Sequence, residues 1–240
     1  MTAMDLKIAH TSPEALRERN EITTVHTGHD DPDYEDGAVL PADAWQPLTD
    51  EHLTAVTADR HTPDHALVEL VALPVGAAPT HLADLVAPLG DPDAVHLGRS
   101  HSPADARTTT CNGDGGQRIG LHIDNWDRHL LAARHRSRRR LCYNLGPGDR
   151  HLLLATIDIR TICRALQSTP DHQPHTDDFR RYIATGHTTH CVRIRIHPGE
   201  GYIAPTELFP HDGATHKEPH PSTTAHWLGH WPANVLERLI

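Results

Sequence analysis

The chain is poor in aromatic residues and almost without lysine. Two Phe, four Trp and four Tyr make up only 4% of its 240 residues, so a core must rest on aliphatic side chains. Lysine occurs twice, at Lys7 and Lys217, against 20 arginines, a bias that resembles the residue usage of a GC-rich bacterial genome. No run of 18 apolar residues exists, and that excludes a transmembrane helix. The opening stretch, MTAMDLKIAHTSPEALRERNE, lacks a basic segment followed by an apolar one, so no secretory signal is expected. The four cysteines, Cys111, Cys142, Cys163 and Cys191, contain no C-x-x-C pair. That spacing excludes a zinc ribbon or thioredoxin motif and argues against a disulfide scaffold. On this reading a soluble cytoplasmic protein with no membrane partner is expected.

The length suits one domain, with room to bury a real core. Charge is uneven. Residues 1–100 carry 5 Lys and Arg against 18 Asp and Glu, whereas residues 101–240 carry 17 against 14. An acidic chain repels phosphate backbones, so no nucleic-acid partner is expected. The exception is the basic run from Arg134 to Arg140, read as a solvated loop, an anion site or a short nucleic-acid patch. Histidine reaches 23 residues. No single site uses so many, so spacing and not abundance must select any ligand.

Residues 1–40 read as an acidic arm, partly ordered, and residues 41–240 as a single domain. Within the arm, Ser12-Pro13-Glu14 caps a short helix through Arg19. Thr49-Asp50-Glu51 opens a second helix to about Ala58. Leu67 to Leu73 is a strand ending at Pro74, and Pro79 to Val86 a helix. Strands are expected from Arg118 to Asp124, from Arg140 to Leu145 before the Gly146-Pro147-Gly148 turn, and over Leu152–Leu154. Helices are expected at 158–167 and 177–185. Val192, Ile194 and Ile196 alternate with polar residues, the Pro198-Gly199-Glu200-Gly201 turn leads into Tyr202-Ile203-Ala204, and Ala225 to Trp231 is a last strand. Helices followed by many short strands suit a mainly β fold, a sandwich or barrel with flanking helices.

The informative segment is Gly120-Leu121-His122-Ile123-Asp124-Asn125-Trp126-Asp127. Strand positions i and i+2 share a face, so His122 and Asp124 present an imidazole and a carboxylate side by side. A third ligand is sought on a later strand. His211, 87 residues after Asp124 and just past the strand that follows the Pro-Gly-Glu-Gly turn, is the choice. His226 and His230 compete with it, and Asp127 competes with Asp124. Two histidines and a carboxylate leave three open positions on an octahedral metal, the facial arrangement of non-haem Fe(II) oxygenases. A closed four-ligand zinc site has no such openings.

His-x-Asp on an early strand, followed by a distant His after a Gly-flanked strand, resembles the Fe(II)/2-oxoglutarate-dependent dioxygenases over roughly residues 66–231. The resemblance implies a double-stranded β-helix, a cupin-like jelly roll. It implies Fe(II) held by His122, Asp124 and His211, and 2-oxoglutarate and molecular oxygen as co-substrates. It also implies decarboxylation to succinate coupled to hydrogen abstraction from an unactivated C–H bond. Many members hold the 2-oxoglutarate carboxylate with an Arg shortly after the distal His, but Pro221 to His226 contains no Arg or Lys. Others use a basic residue on the strand after His-x-Asp. Arg138 and Arg140, 16 and 18 residues after His122, fit that pattern, with Arg140 preferred and Asn144 on the same strand face adding a hydrogen bond.

Because Asp124 is a carboxylate, chloride has no vacant ligand position, so hydroxylation, desaturation or cyclisation is expected and not halogenation. The substrate is expected to be a small molecule, an amino acid or peptide of bacterial biosynthesis by fold-level analogy. A homodimer is the base-rate expectation. Two alternatives stay open: a cupin-like metal enzyme that does not use 2-oxoglutarate, and a binding domain without a catalytic metal. Asp212 is read as a turn residue or as the acceptor that fixes a ligand imidazole. Trp126, Tyr143, Tyr202, Trp227 and Trp231 are read as core or as a pocket wall, and Arg193 and Arg195 as a solvent-facing edge or a substrate clamp.

Overall fold

Period-two patterning dominates the chain, and in the computed structural model it produces thirteen strands and four short α-helices among the described residues, 4–74, 85–86, 89–113 and 116–240. The strands are β1 (Lys7–Ile8), β2 (Asn20–Thr27), β3 (Tyr34–Pro41), β4 (Gln46–Pro47), β5 (Leu67–Ala72), β6 (Val95–Ser102), β7 (Arg118–Gly120), β8 (Arg139–Pro147), β9 (Arg150–Ala155), β10 (His190–Ile196), β11 (Glu200–Ala204), β12 (His211–Ala214) and β13 (Ser222–Gly229). The helices are α1 (Pro13–Arg19), α2 (Asp50–Val56), α3 (Ile159–Ala165) and α4 (Thr176–Ala184). Ser12 caps α1 by accepting from Ala15 N at 3.1 Å, with Pro13 at its first position, and Thr49 caps α2. The helix expected from Pro79 to Val86 falls, apart from its last two positions, outside the described residues.

The strands form two sheets. One runs β1-β5-β11-β8-β13-β6; the other runs β12-β9-β10-β2-β3-β7, with β4 beside β2. The second sheet nearly closes on itself. Just past β7, Leu121 N donates to Val39 O on β3 at 2.9 Å. The next residue, His122, exchanges both backbone bonds with His211 at the start of β12, at 3.0 and 2.9 Å. The molecule is therefore mainly β, a nearly closed sandwich with few helices.

Alternation sorts the side chains into layers. Leu152 and Leu154 point between the sheets, where they meet Leu70, Val192, Ile194 and the helix residues Leu16 and Leu53. Leu153 and Ala155 point outward beneath α3 and α4, with Ile162, Phe179 and Cys191. On β8 the same rule sends Leu141 and Tyr143 to the outer face of the other sheet, against Trp227 and Trp231. The scarce aromatics Tyr143, Trp227 and Trp231 thus fill a core layer, while Trp126 is 54% exposed. Arg193 pairs with Glu21 and lies over the Trp45 ring.

Two expectations are corrected. The described part of the expected arm 1–40, residues 4–40, is not an arm: β2 lies between β10 and β3 inside the sheet, and Ile22, Val39 and Leu40 are buried. Its pairing partners on β10 stand far off in sequence (Ile22 opposite Val192), so the short pattern looks unpartnered when read locally. The basic run is not a solvated loop either. Arg134 and Arg139 are buried, Arg139 against Glu69 at 2.9 Å. Among the described residues no helix is long and apolar enough to cross a membrane.

Candidate metal centre and its cavity

The strand expected over Arg118–Asp124 stops at Gly120, which turns the chain with a φ of +70°. A Cβ there would lie 2.6 Å from Val39 O, so only glycine permits the close approach. That turn places His122 against His211, and the two rings stand 4.5 Å apart, centroid to centroid. Ligand atoms of His122, Asp124 and His211 all lie within 4.8 Å of one another, and all three residues are buried. These three sequence candidates therefore converge, though through a backbone bridge and not along a regular strand.

Both rings are oriented from behind. His122 Nδ1 bonds Gly120 O at 3.0 Å and His211 Nδ1 bonds Phe209 O at 3.2 Å. In each case the carbonyl two residues upstream fixes the ring and leaves Nε2 as the free lone pair. His211 Nε2 is buried without a hydrogen-bond partner, 3.6 Å from Asp124 Oδ2. Burial lowers the His211 pKa to about 3, so its ring is neutral at pH 7. Burial alone would raise Asp124, but Arg140 and the two imidazoles outweigh it and hold the carboxyl at about 2. A neutral imidazole and an ionised carboxylate are the forms that bind a metal.

The supports come from distant segments. Arg134 donates to Asp124 O, to Asn125 Oδ1 at 2.7 Å and to Glu207 O at 2.9 Å. Its Nη1 also lies 3.3 Å from the fully buried Glu207 carboxylate. Thr206 O accepts from Asp124 N, and Thr176 Oγ1 accepts from Ile123 N. His122 is held by Gly120 O, and Asp212 takes the turn role expected of it. It accepts from the backbone and hydroxyl of Thr110 and from Gly213 N, while its second oxygen lies 3.7 Å from His122 Nδ1.

A cavity of about 310 Å³ opens at His211, with Arg140, Arg150, Tyr202, Asp212 and His226 also among its lining residues. Arg140 reaches it, but its Nη2 sits 2.6 Å from Asp124 Oδ2. Asn144 shares the strand face as expected, yet its side chain is spent on the turn. Its amide donates to Gly148 O and Ile196 O, and its oxygen accepts from Gly146 N. Arg138 lies outside the cavity, forked on Asp127 at 2.6–2.7 Å, which also removes Asp127 from the ligand set. His226 bonds Thr224 and Ser100 on the cavity wall and is not part of the ligand cluster, and His230 lines a different cleft.

The sequence reading passes over Arg150. It opens β9 and is buried, donates to Thr224 Oγ1 at 3.2 Å, and leaves Nε without a partner. A Cβ at Gly213 would collide with its Nη2, so glycine makes room for the guanidinium. Its signal was period two: Arg150, Leu152 and Leu154 fall on the inward face. Comparison with protein-family models and with curated proteins finds no match for the chain.

Proposed function

We propose that the protein is an Fe(II)- and 2-oxoglutarate-dependent oxygenase with a jelly-roll core, which hydroxylates, desaturates or cyclises a small molecule. The observation that carries this reading is the convergence of two carbonyl-oriented imidazoles and one carboxylate, one of the imidazoles, His211, lining a polar cavity together with two arginines. Two nitrogens and one oxygen on one side of a cation are the donor set of the facial Fe(II) centres. The strand order supports the core. Counting β6 as first, one sheet contains the order 6-3-8-1 and the other 7-4-5, with the second strand joined to the seventh through His122 and His211.

When bound, the iron and 2-oxoglutarate supply dioxygen activation and the two electrons released by oxidative decarboxylation. The chain's own residues do the rest. His122, Asp124 and His211 hold the cation. Arg150, buried and short of acceptors, is the better-placed fork for a co-substrate carboxylate, with Thr224 beside it. Arg140 keeps Asp124 ionised and oriented. The cavity is near the small end of ligand sites, and its hydroxyl, imidazole and guanidinium lining suits a compact polar substrate.

The test is an anaerobic titration with Fe(II) and then 2-oxoglutarate, following the weak visible metal-to-ligand charge-transfer band of the bidentate complex. The band should form, vanish in His122→Ala and weaken in Arg150→Ala, with succinate release then used to screen substrates. Iron binding without the band would move the reading to a cupin-like metal enzyme that does not use 2-oxoglutarate. No specific iron binding would leave a binding domain.

A further inference from the structure

A second group of metal-ligating atoms lies away from the cavity. Cys163 on α3, Asp178 in the first turn of α4 and His172 on the connection between the helices bring one sulfur, one nitrogen and one oxygen within 4.8 Å of one another. Cys163 and Asp178 are buried, whereas the His172 side chain is 31% exposed and gives solvent access. The connection carries Pro170 and Pro174 and forms neither helix nor strand, so local periodicity does not hold it.

An ordinary account covers part of this. His172 Nε2 lies 2.7 Å from Asp178 Oδ2, which also accepts from His175 N at 2.9 Å and so closes the start of α4. Arg181 takes the other oxygen at 2.9 Å. That pairing explains the imidazole and the carboxylate. Core packing beneath α3 and α4 explains the burial of Cys163, but neither account requires its sulfur to lie within 4.8 Å of both the His172 nitrogen and the Asp178 carboxylate. Cysteine, histidine and aspartate from three separate segments, with one side open to water, form a borderline-soft donor set that suits tetrahedral Zn²⁺.

We propose that Cys163, His172 and Asp178 form a structural divalent-cation site, best fitted by Zn²⁺, with water as the fourth ligand. On binding, the thiol proton leaves to solvent, the His172 proton moves by way of water from Nε2 to Nδ1, and two metal bonds replace the His172–Asp178 hydrogen bond. The site has a consequence for the first centre. The carbonyls of His172 and Pro170 accept from Leu131 N and Ala132 N at 2.8 and 3.2 Å. Those residues begin the 3₁₀ segment Leu131–Arg136 that carries Arg134, the clamp on Asp124. A cation there pins the outer support of the centre, while the proposal itself stands independently of the oxygenase reading.

Co²⁺ is the probe, because a thiolate-to-Co²⁺ charge-transfer band in the near ultraviolet cannot arise from a site made of histidine and aspartate. The full chain should show that band with the intense visible absorption of tetrahedral cobalt, and one equivalent of Zn²⁺ should bleach it. The band should persist in His122→Ala and disappear in Cys163→Ser. His172→Ala, at a half-exposed position, should weaken cobalt binding at least tenfold, and it keeps the test valid where the cysteine variant does not fold. Absence of the band from the wild type, with only a weak octahedral spectrum lost in His122→Ala, would overturn the proposal. So would a band that survives Cys163→Ser and vanishes in Cys111→Ser.

Discussion

Two buried regions of this molecule use arginine in opposite ways. Behind the His122–Asp124 segment, Arg134 is saturated: three acceptors surround its guanidinium and the Glu207 carboxylate balances its charge. In the cavity, Arg150 is equally deep but has one hydroxyl partner and an unpaired Nε. A buried cation is tolerated when its partners are fixed at folding. One left short of acceptors at a cavity wall is instead a place where an anionic ligand completes the set. The contrast separates an arginine spent on the architecture from one that, under the proposed function, is left for a ligand, although both are hidden from solvent.

Removing each arginine should therefore give opposite results. Arg134→Ala strands a buried carboxylate and frees the Asp124 carbonyl, and should cost about 3–5 kcal/mol in urea unfolding. Arg150→Ala removes an under-paired charge and should leave the unfolding midpoint unchanged or higher. In the same variant the affinity for 2-oxoglutarate, followed by the charge-transfer band, should fall about a hundredfold, or ~2.7 kcal/mol. A large loss of stability in Arg150→Ala with unaltered affinity would erase the distinction.

The same contrast explains what could be read from the chain alone. His122, Asp124 and His211 were legible because spacing and chemistry coincide, although the strand meant to align the first two ends at Gly120. A backbone bridge to His211 does the aligning instead, and no local pattern announces it. Arg150 was within reach of the period-two rule, but three consecutive leucines dominate that segment. Arg134 was out of reach. A cluster of arginines reads as a solvated face, and its partner Glu207 stands 73 residues away. The strand β2 was missed for the same reason, since its stability comes from β10 and β3 and not from its own sequence.

Asn144 sharpens the comparison from the other side. It shares a strand face with Arg140, yet its three hydrogen bonds tie the Gly146–Gly148 turn to Ile196. Asn144→Ala should cost about 1–3 kcal/mol of stability and leave 2-oxoglutarate affinity within about twofold of wild type. A selective loss of co-substrate binding would return Asn144 to the cavity wall.

The smallest expected effect concerns His151, which follows Arg150 on β9 and is buried beside Glu218 at 3.9 Å. Burial, reinforced by Arg193, Arg195 and Arg150, lowers its pKa to about 3 from an ordinary 6.5. The unfolded chain therefore binds this proton at a higher pH than the folded one. The contribution to stability is complete above pH 6.5 and declines as pH falls from there toward 3. The slope from one such group is at most about 1.4 kcal/mol per pH unit. His151→Leu should flatten the acid limb of the unfolding free energy by up to that amount, read from urea midpoints between neutral and mildly acidic pH. Unlike Arg150, this side chain is neutral when buried, so its removal should leave 2-oxoglutarate affinity at pH 7 untouched. An altered affinity in His151→Leu would mean that the ligand site extends past Arg150 to the outward face of β9, and the line between architectural and ligand-binding groups would have to be redrawn there.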